Sequence, residues 1–103
     1  MSHHQEKLES LIMRLTAEFL ERKSPPGQLV TVMSCNLSSD LQTVNIGLSI
    51  FPESAGAQTL TEIQKLAGRL RFELGEKIRS KKIPVVRFVL QINPVIEEID
   101  EKI

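Results

Sequence analysis

Residues 41–51, Leu-Gln-Thr-Val-Asn-Ile-Gly-Leu-Ser-Ile-Phe, contain a strict alternation of apolar and polar side chains that decides the fold class. Successive side chains of a β-strand point to opposite faces, so this pattern predicts a strand that buries only one face. A strand of this kind needs a covering layer, which helices can supply. The side chains expected to face that layer are Val44, Ile46, Leu48 and Ile50.

The residues before this strand predict a helix and a further strand. Residues 4–22 have apolar side chains at three- and four-residue spacing, as in an amphipathic helix: Leu8, Leu11, Ile12, Leu15 and Phe19. The helix ends at residues 24–27, Ser-Pro-Pro-Gly, because proline cannot continue it. Residues 29–37 are rich in β-branched side chains and predict a strand, antiparallel to residues 41–51 through a short turn. We expect Leu29, Thr31, Met33, Cys35 and Leu37 on one face of that strand, opposite Val30 and Val32.

A second helical pattern follows at residues 59–80. Its apolar stripe comprises Leu60, Ile63, Ala67, Leu70, Leu74 and Ile78. Thr59 and Glu62 form a candidate capping box at its start. Gly68 lies inside the pattern and is the candidate for a break that divides it into two helices.

A third strand is predicted at residues 85–92, with Val86, Phe88, Leu90 and Ile92 on one face. A short acidic helix is expected after Pro94. The predicted order is helix-strand-strand-helix-kink-helix-strand, an α+β domain of two layers in which helices cover a small three-stranded sheet. We expect one domain over residues 1–103, with residues 1–4 and 101–103 as candidates for disordered ends.

Composition excludes several classes of function. A single cysteine, Cys35, cannot form an internal disulfide or a cysteine-rich zinc site, and its apolar strand position predicts an inert core thiol. The histidines are confined to positions 3 and 4, and no nucleophile–base pair or phosphate-cradling glycine loop is found. We therefore expect no catalytic residues, no metal and no cofactor.

No apolar run approaches the roughly 20 residues that span a bilayer, and no signal peptide is recognised, so we expect a cytoplasmic protein.

The charges are balanced overall but unevenly placed. Thirteen basic and thirteen acidic residues give a net charge of zero, yet residues 65–87 contain eight basic residues against only Glu73 and Glu76. A concentrated positive stretch attracts an anionic partner, and nucleic acid is the obvious candidate. The alternative interpretation is a solvated helix face with a Glu73–Lys77 ion pair. The basic residues are Lys65, Arg69, Arg71, Lys77, Arg79, Lys81, Lys82 and Arg87.

Four strings in this order resemble the ribosome-binding factor A family. They are Leu-Val-Thr-Val at 29–32, Leu-Ser-Ser-Asp-Leu at 37–41, Ala-Gly-Arg-Leu-Arg-Phe-Glu-Leu-Gly-Glu-Lys-Ile-Arg at 67–79, and Ile-Pro-Val-Val-Arg-Phe at 83–88. The resemblance implies a KH-like fold. It also implies a non-catalytic monomer that binds the small (30S) ribosomal subunit and its 16S-type ribosomal RNA during late maturation and rRNA processing. No small-molecule substrate and no membrane are implied.

The resemblance also suggests where RNA is bound. KH domains usually clamp the nucleic-acid backbone with a Gly-x-x-Gly loop, which this sequence lacks. The family typically has Ala-x-Gly at a kink between two helices, and the aligned triplet here is Leu66-Ala67-Gly68. Ala67 and Gly68 are therefore the candidates for the interhelical kink. The candidate RNA-binding residues are Lys65, Arg69, Arg71, Lys77, Arg79, Lys81 and Lys82.

A second function remains open at this point. A KH-like module that binds proteins and no RNA, similar in topology to the BolA family, would have the same element order. That family has a signature histidine near its second helix, and this sequence has none there. Trp and Tyr are absent, and only Phe51 and Phe72 are possible stacking platforms for bases, although a phenylalanine at such a position is more often a core or edge filler. We therefore expect recognition of RNA backbone and shape rather than of base sequence.

Overall fold

The computed structural model describes residues 3–79 and 82–91. The elements follow the predicted order, and the acidic helix expected after Pro94 lies outside the described residues. A single 3₁₀ turn, Glu53–Ala55, connects the second strand to the second helix. The helices and strands are α1 (His3–Lys23), β1 (Leu29–Leu37), β2 (Thr43–Phe51), α2 (Gly56–Gln64), α3 (Ala67–Lys77) and β3 (Val85–Leu90).

The three strands form a mixed sheet in the order β1-β2-β3. β2 is central and pairs antiparallel with β1 and parallel with β3, so that Val44 lies between Leu37 and Val86. Parallel neighbours cannot be joined by a hairpin, because the chain must return to the end at which the first strand began. α2 and α3 together make this crossover connection.

The core lies between one face of the sheet and the three helices. All four apolar residues of the alternating stretch in β2 are at most 5% exposed, as predicted. The helices contribute Ile12 and Phe19 from α1, Ile63 from α2, and Leu70 and Leu74 from α3 to the same cluster. The predicted two-layer α+β architecture is therefore confirmed.

Side chains from the helices satisfy backbone groups at both edges of the sheet. At the end of β1, the N–H of Leu37 donates to Glu9 at 2.7 Å, and its carbonyl accepts from the Gln5 amide at 3.2 Å. At the other edge, the N–H of Phe88 donates to Gln64 Oε1 at 2.9 Å. Unpaired edge groups invite strand addition from other chains, so these contacts protect the edges locally. They also attach α1 to β1 and α2 to β3.

The predicted faces of β1 are wrong in its first half. An irregularity between Val32 and Ser34 shifts the register with β2. Such a bulge inserts one extra residue and reverses which side chains face the core. Leu29 and Met33 are consequently 66% and 40% exposed, and the side chains that pack against the core are Val30, Val32, Cys35 and Leu37.

The start of α2 also differs from the prediction. Thr59 does not cap the helix, because α2 begins three residues earlier and Thr59 is buried within it. The first residue, Gly56, is buried because Leu90 packs over it, with Leu90 Cδ2 3.4 Å from the position that a Cβ would occupy. A methyl group at this position would make an ordinary van der Waals contact with the Leu90 side chain.

The break between α2 and α3 is found, but it lies at Lys65 and Leu66 rather than at Gly68. Both residues have right-handed dihedral angles, with φ of −65° and −90° and ψ of −19° and −2°. The N–H of Leu66 donates to the carbonyl of Ile63 at 2.8 Å, which tightens the chain into a turn. Any residue adopts these angles, so the break does not need glycine. Ala67 and Gly68 form the first two positions of α3.

β3 agrees with the prediction at two of its four expected core positions. Val86 and Phe88 are buried, whereas Leu90 is 44% exposed at the end of the strand. Ile92 lies outside the described residues. The middle of β3 therefore packs into the core, whereas Leu90 at its end covers Gly56.

A polar bridge crosses the face of the sheet that the helices leave uncovered. Ser34 of β1 donates from its hydroxyl to Gln91 Oε1 at 2.7 Å, and both side chains lie directly over Gly47 of β2. A Cβ at position 47 would collide with both partners of this hydrogen bond. Glycine therefore permits the close approach of the two side chains, whose ends an alanine would displace.

We expect Gly47→Ala to lower the free energy of unfolding by about 1 kcal/mol, because the methyl group displaces the Ser34–Gln91 hydrogen bond. Gly68→Ala is the matched control, since nothing lies within 4 Å of its would-be Cβ. Alanine in the exposed first turn of α3 should raise the free energy of unfolding, by roughly 0.5–1 kcal/mol. Urea denaturation measures both. Equal effects of the two substitutions would contradict the bridge over Gly47.

Candidate nucleic-acid interface

The basic side chains of α3 lie on two flanks of the helix. Leu70 and Leu74, each 1% exposed, face the core. At about 100° per residue, Arg69 and Arg71 then project to opposite sides of the inward direction. Arg69 lines a shallow cleft toward α1, and Arg71 extends toward the segment before β3. Positive charge is therefore spread across the outer surface of α3 rather than gathered at one point.

Arg71 connects α3 to the chain that leads into β3. Its Nε and Nη2 atoms donate to the carbonyl of Ile83 at 3.2 and 2.9 Å. Two donors of one rigid guanidinium on one acceptor fix both position and orientation. Three of its five N–H groups remain for another acceptor. Arg71 thus positions the loop after α3 and can also contact a phosphate.

Glu73 pairs with Arg22 of α1 and not with Lys77. The Arg22 Nη2 to Glu73 Oε1 distance is 3.0 Å, so the Glu73–Lys77 ion pair of the alternative interpretation is not formed. Arg22 also lies above the ring of Phe19, 5.8 Å from its centroid. This contact uses a carboxylate that would otherwise offset the positive charge of α3. Sequence analysis did not identify Arg22, which lies 51 residues from its partner.

Lys65 stands at the junction of α2 and α3, where its ammonium group is 3.5 Å from Glu62. Both side chains are more than half exposed, and an exposed pair of this kind contributes little to stability. Lys65 can therefore exchange its carboxylate partner for a phosphate at small cost.

Three of the candidate residues are exposed without a partner. Within residues 3–79 and 82–91, no ion pair or side-chain hydrogen bond involves Arg69, Lys77 or Arg79. Lys81 lies outside the described residues. These three cations outnumber the exposed carboxylate of Glu76, so α3 and the residues just after it carry a net positive field that attracts an anion.

Lys82 and Arg87 lie away from α3. Lys82 is exposed near the β1–β2 turn, where its charge helps to lower the pKa of Asp40. The larger causes of that lowered pKa are hydrogen bonds to Asp40 from the Ser38 hydroxyl, at 2.6 Å, and the Gln42 amide, at 3.1 Å. Arg87 alternates with the buried Val86 and Phe88, so it projects from the uncovered face of the sheet. The structure therefore separates Arg87 from the other basic residues of its segment.

The remaining chemistry of the described residues is sparse. Burial, assisted by the nearby Glu9 carboxylate, raises the pKa of the Cys35 thiol to about 12, so the thiol stays protonated at neutral pH. Among the described residues, no group of three or more His, Cys, Asp or Glu side chains could hold a metal ion. None of the described helices is long and apolar enough to cross a membrane. The exposed cations of α3 remain the feature best suited to binding.

Known proteins with a similar sequence share one family description. The sequence profile of the family described as Ribosome-binding factor A matches residues 4–101. The Ribosome-binding factor A of Natranaerobius thermophilus is 34% identical over 86 residues, which cover 81% of this chain. The matched region is 66% of the length of that relative, so this chain corresponds to slightly less than two thirds of it.

Solved structures of similar fold carry the same description. The crystal structure of ribosome-binding factor A from Thermus thermophilus matches 84% of this chain and 93% of its own, with a TM-score of 0.74 and 25% identity. A homology model of the Thermus thermophilus protein, fitted into a cryo-EM map of a 30S–RbfA complex, matches 81% of this chain and 90% of its own. Its TM-score is 0.69 and its identity 27%.

We expect Arg71→Ala to lower the free energy of unfolding by about 1 kcal/mol, because it removes both hydrogen bonds to the Ile83 carbonyl. Arg69→Ala is the matched control: the same residue type on the same helix, exposed and without a partner among the described residues. Its effect should stay within about 0.5 kcal/mol. Urea unfolding curves of the two variants test the difference, and equal losses would show that the Arg71–Ile83 contact does not hold the loop.

Proposed function

Because the chain belongs to the ribosome-binding factor A family, we propose that it is an assembly factor that binds the 30S ribosomal subunit and its 16S-type ribosomal RNA during late maturation. The observation that carries the proposal is the fit of the Thermus thermophilus relative into a 30S complex, since that protein has this fold over 81% of the chain. We propose that the protein acts as a monomer in the cytoplasm, where ribosomal subunits are assembled.

The RNA contact we propose is electrostatic and centred on the outer surface of α3. The candidate residues that the structure describes are exposed, and Arg69, Lys77 and Arg79 form no ion pair among the described residues. Lysine offers phosphate a mobile point charge, whereas arginine can donate two hydrogen bonds to one phosphate. The proposed RNA-binding residues are Lys65, Arg69, Arg71, Lys77, Arg79, Lys81 and Lys82.

The junction of α2 and α3 takes the place of the usual KH loop in this proposal. The turn at Lys65–Leu66 orients α3 away from α2, and Ala67 and Gly68 are its first helical residues. Ala67 packs into the core, whereas nothing lies within 4 Å of a would-be Cβ of Gly68, so a phosphate could approach the backbone closely at Gly68. We propose that this junction sets the position of the RNA backbone, while the flanking cations supply most of the affinity.

We further propose that the protein catalyses no reaction and needs no cofactor. The described residues contain no candidate metal cluster, and the one thiol is held protonated by burial. We propose that the protein acts by binding to the subunit, so that its affinity and its release determine its effect.

The alternative, a KH-like module that binds only proteins, is supported by one observation. The uncovered face of the sheet exposes Leu29 and Phe51 side by side on neighbouring strands, at 66% and 67%. Exposed apolar pairs of this kind suit a protein partner. This alternative predicts binding that barely depends on salt concentration.

We expect binding of the protein to 16S ribosomal RNA to weaken with salt, with a log–log slope of roughly −3 to −4 if four or five phosphates are engaged. The double variant Arg69→Gln/Lys77→Gln removes two of these contacts and should reduce the slope by about 1.5 to 2. Fluorescence anisotropy with labelled RNA at several salt concentrations gives the slopes, and cosedimentation with immature 30S subunits tests the larger target.

The control is Lys7→Gln/Arg87→Gln, which changes the net charge equally at exposed positions on α1 and on the uncovered sheet face. This variant should keep the wild-type slope. If both double variants bind RNA equally weakly, overall charge rather than the α3 surface is responsible. Binding of the wild type that does not respond to salt would favour the protein-interaction alternative.

A further inference from the structure

Phe72 stands on the outermost ridge of α3, with 69% of its surface exposed. It lies two positions after Leu70 and two positions before Leu74, both of which face the core. At about 100° per residue, this spacing directs the Phe72 ring almost straight away from the protein. The ring therefore contributes nothing to the core that the described residues form.

The helix leaves open space around this ring. Gly68 lies one turn before Phe72, and the residues about one turn after it are Gly75 and the exposed Glu76, so the ring is open on the Gly68 side. Nothing lies within 4 Å of the position that a Cβ of Gly68 would occupy, and only Ile83 approaches that of Gly75. A planar group can consequently reach the Phe72 ring without displacing a neighbour.

A shallow cleft borders the ring on each side. One is lined by Arg22, Arg69, Phe72, Glu73 and Glu76. The other is lined by Gly68, Arg71, Phe72, Gly75, Glu76 and Ile83. The ring is thus flanked by one arginine on either side, with Arg69 free of any ion pair among the described residues. Glu73, which would oppose Arg69, is held by Arg22 at 3.0 Å.

The charge around the ring favours a nucleobase over an apolar peptide side chain as its occupant. A protein-binding surface usually presents a contiguous apolar patch, whereas Phe72 is surrounded by Gly68, Gly75 and charged side chains, in which Arg69 and Arg71 outnumber the one carboxylate without an ion pair among the described residues, that of Glu76. A base needs only one π-face, and the phosphates on either side of it need cations within reach. Phe72 with Arg69 and Arg71 offers that combination, and it continues the proposed RNA-binding surface of α3.

We propose that Phe72 is a stacking platform for one unpaired nucleobase of the bound RNA, with Arg69 and Arg71 contacting the flanking phosphates. The proposal rests on the RNA-binding function proposed above and adds to it a base contact that depends little on salt. It also names the substrate class more closely: single-stranded or bulged RNA rather than a continuous duplex, in which the bases are already stacked.

The test compares a single-stranded oligoribonucleotide that carries one 2-aminopurine with a fully paired duplex of the same sequence. The variants are Phe72→Ala, Phe72→Leu and Phe72→Trp, all at an exposed position, with circular dichroism melting to confirm that they fold. Phe72→Ala should weaken single-strand binding by about 5- to 150-fold, the range expected for one stacked base, at an unchanged salt slope. Duplex affinity should not change.

The other variants separate stacking from general hydrophobic contact. Phe72→Trp should retain wild-type affinity, whereas Phe72→Leu should bind nearly as weakly as Phe72→Ala because it lacks a π-face. The 2-aminopurine fluorescence should be quenched by the wild type and by Phe72→Trp only. If Phe72→Leu binds as well as the wild type, or if no variant changes single-strand affinity, the stacking proposal is wrong.

Failure of this proposal is distinguishable from failure of the proposed function. Salt-dependent RNA binding that is insensitive to Phe72 overturns only the stacking contact. Absence of salt-dependent RNA binding by the wild type overturns both. Loss of cosedimentation with 30S subunits in Phe72→Ala, with RNA affinity unchanged, would instead assign the ring to a protein partner and would also overturn stacking.

Discussion

The parallel pairing of β2 with β3 is the constraint on which the rest of this structure depends. Strands that run side by side in one direction need a crossover, and α2 and α3 provide it on the single face where β2 buries Val44, Ile46, Leu48 and Ile50. Gln64 then joins the crossover to the sheet by accepting the Phe88 N–H. Because the inner stripe of α3 is committed to this packing, only its outer surface is available to a partner. The location of the candidate interface is therefore a consequence of strand pairing.

Elements governed by local periodicity could be predicted from the sequence, and those governed by tertiary contacts could not. The alternation in β2 and the spacing in α1 gave boundaries within a residue or two of the structure, because burial of one face imposes a fixed period. The faces of β1 were mistaken because a bulge at Val32–Ser34 breaks that period without leaving a glycine or proline as a signal. The helix break was expected at Gly68, the weakest helix former, but the chain turns at Lys65–Leu66 with ordinary dihedral angles.

In the candidate interface, too, local features could be predicted from the sequence and long-range contacts could not. The excess of basic residues between 65 and 87 is visible in the sequence, as is the outward position of Arg69. The sequence does not show which cations remain unpaired, because pairing depends on residues far apart in the chain, such as Arg22 and Glu73. Arg87 could have been separated from the rest by its alternation with Val86 and Phe88, a signal that a simple charge count overlooks.

Electrostatic contacts and stacking contacts place different demands on the geometry of such an interface. An electrostatic contact tolerates displacement, because a phosphate is attracted from any direction and lysine and arginine side chains can follow it; such contacts position a backbone without selecting among bases. A stacking contact is short in range and requires a ring held in a defined orientation. Leu70 and Leu74 fix the backbone of α3 and so the direction in which Phe72 leaves the helix, whereas the cations on its flanks remain adaptable. In the proposed interface each kind of contact would therefore use a different part of α3, and the packing that forms the core determines where both parts lie.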